Sequence, residues 1–173
     1  MRWSYLVIVI STGCCPKQGN SPTTSQAASP VVAMVVPTAP SPFEFDIRSV
    51  DGTIIVAASE IMDYGWTTHT MRWSPGVKER VFKARMSELI GGSPFAVCVG
   101  GKPVYSGEFT SCFSSSSLNA IIILDHWRDR GQISSDELVR IDIGYPNEKY
   151  FTGTDKRGDP TIRKALEETG KLR

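Results

Sequence analysis

The chain from Phe43 onward is built mainly of short segments in which hydrophobic and polar residues alternate. Phe43, Phe45 and Ile47 alternate with charged residues, which is typical of a half-buried β-strand. Asp51-Gly52 is a hairpin turn signal. The pattern predicts further strands over residues 53–58 (TIIVAA), 67–73 (TTHTMRW), 95–99, 104–105, 119–124 (NAIIIL) and 139–143.

Two segments have a helical period instead. Ser74-Pro75 has the composition of a helix N-terminus, with serine as N-cap and proline in the first turn. Hydrophobic residues then recur at helical spacing as far as Gly91-Gly92, where we expect the helix to end: Val77, Val81, Phe82, Met86, Leu89 and Ile90. A second helix is predicted between Asp159-Pro160 and Gly170.

Together these elements predict an α+β fold: a single small domain with a mainly antiparallel sheet and two amphipathic helices. Turns at Gly100-Gly101 and Ser106-Gly107 predict a three-stranded meander. The meander places Cys98 and Cys112 on strands that are not neighbours, and two strand spacings exceed the usual Cα separation of a disulfide. We therefore expect two free, buried cysteines, although an oxidising compartment would permit a bridge.

The segment before Phe43 has a different composition. Residues 16–42 contain six of the eleven prolines of the chain, among Ser, Thr, Ala and Gln. Proline removes backbone donors and fixes φ, so this density disfavours both helices and sheets. We expect residues 14–42 to be an extended tether and residues 43–173 to be the α+β domain.

The first residues are typical of a secretory signal peptide. Arg2 provides a positive charge, residues 5–10 (YLVIVI) an apolar stretch, and residues 11–13 small side chains before a cysteine. The stretch ISTGC resembles the lipobox of bacterial lipoproteins, although Ser11 stands where that family usually has leucine. The resemblance implies a signal peptide over residues 1–13 and lipid attachment at Cys14. It also implies an envelope protein held to a membrane by lipid; the alternatives are a secreted or periplasmic protein, or an apolar first strand of a cytosolic domain.

Residues 78–109 are similar to the head subdomain of SecD-type export proteins. In both, a helix leads into a strand, a glycine turn and a returning strand, here GGSPFAVCVGGKPVYSGEF. The resemblance covers about a fifth of the chain. It implies a ferredoxin-like arrangement of the α+β domain and not the translocase activity.

Charge and motifs limit the possible chemistry. The net charge is +1, and 17 of the 19 basic residues and all 18 acidic residues follow Phe43. A nearly neutral domain gives no electrostatic reason to expect a nucleic acid partner. No metal-ligand spacing of His or Cys is present, and no cofactor is expected. Gly91-Gly92 follows a helix and precedes a strand, which is the reverse of a phosphate-binding loop.

Three groups of side chains remain as candidates for catalysis. His69 shares its strand face with Met71 and Trp73, which favours a structural role. Ser114–Ser117 lack the GxSxG pattern of a nucleophile elbow and are typical of a polar loop. Asp125-His126 follows an apolar strand, a position that catalytic residues can occupy.

These observations favour a non-catalytic binding or accessory domain, tethered to a membrane and with a possible protein partner. The alternative is a small exported hydrolase that uses Asp125 and His126.

Overall fold

The computed structural model describes residues 41–125 and 137–173, which belong to one compact unit, Thr38–Arg173. The residues of that unit that can be described form eight strands, two helices and two short 3-10 turns. The strands are β1 (Phe45–Arg48), β2 (Ile54–Val56), β3 (Ile61–Gly65), β4 (Thr70–Trp73), β5 (Ser93–Val99), β6 (Lys102–Ser111), β7 (Leu118–Asp125) and β8 (Leu138–Tyr145). The helices are α1 (Val77–Ala84) and α2 (Pro160–Glu168), and the 3-10 turns are Ala58–Glu60 and Glu148–Tyr150.

The eight strands form one sheet in the order β2-β1-β5-β6-β7-β8-β4-β3. All neighbouring pairs are antiparallel except β6 and β7. The α+β fold with a mainly antiparallel sheet is therefore confirmed. Its element order differs from the β-α-β-β-α-β order of a ferredoxin-like domain, because four strands precede α1 and four more separate it from α2.

The strand register places the alternating hydrophobic residues on one face of the sheet. Ile47 pairs with Val97, and Val97 pairs with Tyr105 on the next strand. Further across the sheet, Phe109 pairs with Ile123 and Ile123 with Ile141. All six of these side chains belong to the buried hydrophobic core. The period of two in the sequence therefore becomes a continuous apolar surface that crosses five neighbouring strands.

Both helices cover this apolar surface. Val77, Val81 and Phe82 of α1 are buried in the core, as are three residues of α2, namely Ile162, Ala165 and Leu166. α2 begins as predicted, because the Asp159 carboxylate accepts a hydrogen bond from the Thr161 amide at 2.8 Å. Among the described residues no helix is both long and apolar enough to cross a membrane.

The sequence prediction for α1 was wrong at both ends. The helix begins after Gly76, which takes the N-cap position with φ of +81°, and not at Ser74-Pro75. It ends at Ala84, and residues 85–91 continue as turns. Leu89 is buried as expected, but Met86 and Ile90 are 56% and 60% exposed, because the end of the helical period turns them away from the sheet.

The predicted turn at Ser106-Gly107 was also wrong. β6 continues through both residues. A side chain at Gly107 would place its Cβ 2.4 Å from the carbonyl oxygen of Ile121 and 2.5 Å from Cζ of Phe95. Gly107 therefore permits the close approach of β7 and of the Phe95 ring, and its role is packing within a strand.

The parallel pairing of β6 with β7 requires an unusual connection. Parallel neighbours usually need a crossover of about a dozen residues or more, but only residues 112–117 join these two strands. The hydroxyl of Tyr145 in β8 lies 3.2 Å from the carbonyl oxygens of both Cys112 and Ser114. The Ser114 hydroxyl donates to the Ile90 carbonyl at 2.7 Å. The serine-rich connection is thus fixed by hydrogen bonds to β8 and to the turns after α1.

Candidate functional site

The described residues that combine titratable groups, aromatic rings and unusual backbone geometry lie where β3 and β4 meet the loop before α2. They are Tyr64, Trp66, His69, Asp155 and Arg157, which we name the His69 cluster. Tyr64 belongs to β3, His69 precedes β4, and Asp155 and Arg157 precede α2. Tertiary contacts therefore assemble the cluster from two separate parts of the sequence, residues 64–69 and residues 155–157.

His69 is held in a specific position by its backbone and its ring. It is the one non-glycine residue of the described chain with a positive φ, at 50°, a conformation in which asparagine, aspartate and histidine are enriched among the non-glycine residues. Its carbonyl accepts from the Ile141 amide at 2.9 Å, which extends the β4–β8 pairing by one residue. Its Nδ1 lies 3.0 Å from the buried hydroxyl of Tyr64.

Aromatic rings surround the imidazole. The ring centroids of Tyr64, Trp66 and His69 are 6.2 to 6.3 Å apart in each pair, within the range of favourable aromatic contacts. The guanidinium of Arg163 in α2 lies over the Trp66 ring, 5.8 Å from its centroid. This contact joins α2 to the β3–β4 hairpin by a cation–π interaction.

Arg157 connects the loop before α2 to the sheet. Its guanidinium donates two hydrogen bonds to the Asp155 carboxylate, at 2.9 and 2.7 Å, and donates through Nη1 to the Ile141 carbonyl at 2.8 Å. The Ile141 amide already donates to the His69 carbonyl. The amide and the carbonyl of Ile141 therefore both have hydrogen-bond partners, although β4 begins only at the next residue, Thr70. The Arg157 guanidinium thus supplies the hydrogen bond that a neighbouring strand would otherwise donate to the Ile141 carbonyl of β8.

The environment favours the neutral form of His69 and the ionised form of Asp155. Burial, reinforced by the positive charge of Arg157, lowers the pKa of His69. The side-chain hydrogen bond from Arg157 lowers the pKa of Asp155. Burial raises the pKa of Tyr64 above its ordinary value. The cluster therefore holds a neutral imidazole paired with a tyrosine hydroxyl, and a carboxylate whose charge is balanced by Arg157.

The sequence-predicted candidates occupy other places. Cys14, the expected lipid attachment site, and His126 lie outside the described residues. Asp125 ends β7 and is buried at 4% exposure. Ser114 is buried and bonded to Ile90. Among the described side chains, no group of three or more His, Cys, Asp and Glu could hold a metal ion.

Cys98 and Cys112 are both free, but the expectation that they lie on separated strands was wrong, because Cys112 directly follows β6, the neighbour of β5. Cys98 in β5 is buried, and burial together with the charge of Asp46 raises the pKa of its thiol. A thiol with a raised pKa is mostly protonated at neutral pH and is a poor nucleophile. Cys112 directly follows β6 and is only half-buried, so the expectation of burial holds for Cys98 alone.

Sequence reasoning missed most of the His69 cluster. β3 was not predicted, because its residues IMDYG lack a regular alternation, and Tyr64 was therefore not considered. Asp155 and Arg157 lie two residues apart in TDKRGDP, a spacing that allows an ion pair but is common in loops. The sequence prediction put His69 on a strand face with Met71 and Trp73, whereas the structure places it just before β4, with Tyr64 and Trp66 as its ring neighbours.

Fold and cluster together define a small α+β domain with an eight-stranded sheet and a polar, arginine-linked cluster between β3, β4 and the loop before α2. Comparisons with protein-family models, with curated proteins and with solved structures find no match to this chain.

Proposed function

We propose that this chain is an exported envelope lipoprotein whose α+β domain is a non-catalytic binding or accessory module, held to a membrane by lipid on Cys14. The order of segments supports the proposal: a signal-like stretch, then a proline-rich segment, then a domain whose first strand begins at Phe45. Such an order allows a folded domain to reach a partner at a distance from the membrane surface.

The observation that carries the binding role is that three reactive side chains in the described part of the domain are committed to structural contacts. His69 pairs with Tyr64, Ser114 bonds to the Ile90 carbonyl, and Arg157 joins Asp155 to β8. A serine nucleophile needs a hydrogen-bonded base and an oxyanion site, whereas the Ser114 hydroxyl donates to a backbone carbonyl. These groups stabilise the fold and leave recognition to the surface.

The anchor is tested by changing the two adjacent cysteines separately. In a bacterial host that processes lipoproteins, Cys14→Ser should release the domain from the membrane fraction or leave the signal uncleaved. Cys15→Ser is the matched control and should remain lipidated. The mechanism requires a diacylglyceryl group on the Cys14 thiol, and several buried acyl chains hold a protein to a bilayer almost permanently, at about 0.8 kcal/mol per CH₂. An unmodified N-terminus at Met1 in mass spectra would contradict the proposal.

A second candidate is a small exported hydrolase that uses Asp125 and His126. The observation that favours it is the position of Asp125, a buried carboxyl at the end of β7, directly before His126. If this candidate is correct, hydrolysis of p-nitrophenyl esters by the purified chain should be lost in both Asp125→Asn and His126→Gln. Asp51→Asn, in an exposed turn, is the control. Equal rates in all variants would exclude this use of Asp125 and His126 for such substrates.

A further inference from the structure

The outer edge of β3 carries a short additional strand from the same chain. β3 is the last strand of the sheet, and an edge strand presents backbone donors and acceptors that another segment can pair with. Here residues 171–173, which we name the 171–173 segment, lie parallel to it with Leu172 opposite Tyr64. The backbone amide of Tyr64 donates to the Lys171 carbonyl at 2.8 Å, and that of Arg173 donates to the Tyr64 carbonyl at 2.9 Å. The backbone amide of Trp66 donates to the Arg173 carbonyl at 3.2 Å.

Each side chain of the 171–173 segment has a distinct contact. Leu172 packs against the margin of the hydrophobic core. The guanidinium of Arg173 lies 3.2 Å from the carboxylate of Asp63 in β3, and the ammonium of Lys171 donates to the Ala58 carbonyl. The edge therefore has a site for an apolar side chain between two sites for cations.

The attachment of the 171–173 segment is small compared with the contacts of the neighbouring helix. It has three backbone hydrogen bonds with Tyr64 and Trp66, and its Lys171 and Leu172 amides donate to the Leu166 carbonyl of α2 at 2.8 and 3.2 Å. Gly170, with φ of 66°, turns the chain between α2 and the segment, and Leu172 is the one side chain of the segment that packs against the core. The three buried residues of α2 hold the helix in place independently of the segment. Short elements with few buried contacts open at lower free energy than the global unfolding of a domain.

We propose that the β3 edge is a strand-addition site for extended peptides in which an apolar residue stands between two basic residues, and that the 171–173 segment is its internal occupant. Backbone pairing provides the affinity of such a site, and side-chain positions along the strand provide its specificity. Asp63 supplies the charge complementarity: its carboxylate is only 14% exposed, accepts hydrogen bonds from Arg72 and forms an ion pair with Arg173. The proposal deepens the binding role proposed above and does not depend on the lipid anchor.

The test measures binding of the peptide acetyl-Thr-Gly-Lys-Leu-Arg-amide to the full chain carrying Cys14→Ser. Leu172→Ser should weaken the internal occupant and tighten peptide binding by about tenfold or more, because the apparent affinity rises with the open fraction of the site. Ile54→Ser, an exposed apolar residue on β2 at the opposite edge, is the matched control and should bind as the parent does. A peptide with serine in place of leucine should not bind.

Two further measurements keep the result decisive. Asp63→Asn, added to Leu172→Ser, should reduce peptide affinity severalfold. If Leu172→Ser does not fold, the parent chain at millimolar peptide should show amide shifts centred on Tyr64 and Trp66 in NMR spectra. A folded Leu172→Ser chain that does not bind, or shifts located elsewhere, would overturn the proposal. Dimerisation by reciprocal exchange of the segment without peptide binding would overturn it in favour of a second copy of the chain.

Because the binding assay contains no membrane, its failure is distinguishable from failure of the lipoprotein proposal. Loss of the anchor in Cys14→Ser leaves the β3 edge intact. Peptide binding by the Cys14→Ser chain, together with an unlipidated Cys14 in the parent chain from the bacterial host, would support the edge site and contradict the anchor. Lipidation of the parent chain, together with no peptide binding by the Cys14→Ser chain, would support the anchor and contradict the edge site.

Discussion

Individual residues in this protein combine roles that the sequence shows separately. Arg157 neutralises Asp155, satisfies the Ile141 carbonyl of β8 and lowers the pKa of His69. Tyr145 similarly serves two carbonyls of the connection between β6 and β7. In both cases one side chain completes backbone hydrogen bonding where the sheet ladder is interrupted, which avoids the cost of a buried unsatisfied carbonyl.

The lowered pKa of His69 predicts how stability depends on pH. The folded state binds a proton at His69 less readily than the unfolded state, whose ordinary pKa is 6.5. The contribution of His69 to the free energy of unfolding is therefore complete above that pH and is lost as the pH falls below it toward the folded pKa. His69→Asn, which tolerates the positive φ, should show a shallower loss of stability between about pH 7 and pH 5 in urea titrations.

His126 is present in both chains of this comparison, so the difference in slope isolates His69. Identical slopes would mean that His69 has the same pKa in the folded and unfolded states, and the argument from burial and Arg157 would then be wrong.

The elements of the fold follow local signals only as far as their neighbours allow. α2 has the predicted start, because Asp159 caps it, and the turn at Gly170 follows its last residues. α1 has a proline and a serine in the predicted places, yet the helix starts later and lasts eight residues. Its buried residues are those that face the sheet. Leu89 lies in the turns after the helix, and its side chain is also buried in the core.

Two substitutions near α1 test which side faces the core. Phe82 is fully buried, with its ring 5.9 Å from that of Phe109 in an edge-to-face contact. Phe82→Ala should lower the free energy of unfolding by about 3–5 kcal/mol, because it removes a large aromatic group and leaves a cavity. Met86→Ala is the control and should change it by less than about 0.5 kcal/mol, as expected for an exposed side chain. Chemical denaturation of both variants provides the measurement.

A Phe82→Ala loss below about half a kcal/mol would contradict the packing of α1 on the sheet. A large loss for Met86→Ala would instead show that the residues after Ala84 bury a second apolar contact.

At the scale of the whole molecule, the described residues form one apolar surface closed by two helices and bounded by two differently protected edges. β2 has three residues, and its Ile55 carbonyl accepts from Arg80 of α1 at 3.2 Å. β3 is paired with the 171–173 segment. A short strand capped by an arginine offers little backbone for pairing, whereas β3 offers a longer edge whose occupant belongs to the chain itself. Recognition by strand addition is therefore assigned to β3.

The sequence by itself determined the α+β class, the two helical segments, most of the strands and the signal-like beginning. These are local properties: hydrophobic period, capping residues and composition act within a few residues of each other. The signal for lipid attachment at Cys14 is local in the same sense, and it stays a prediction.

The tertiary structure alone decided the features that depend on distant partners. β3 forms because β4 pairs with it, and the Lys171–Ala58 contact beside its outer edge joins residues 113 positions apart. β6 passes straight through Ser106-Gly107 because β7 and Phe95 need the space that glycine leaves. The His69 cluster likewise joins two sheet strands to a loop far along the chain. A local pattern carries no information about which distant group will lie opposite, so packing and register, and not propensity, fixed these positions.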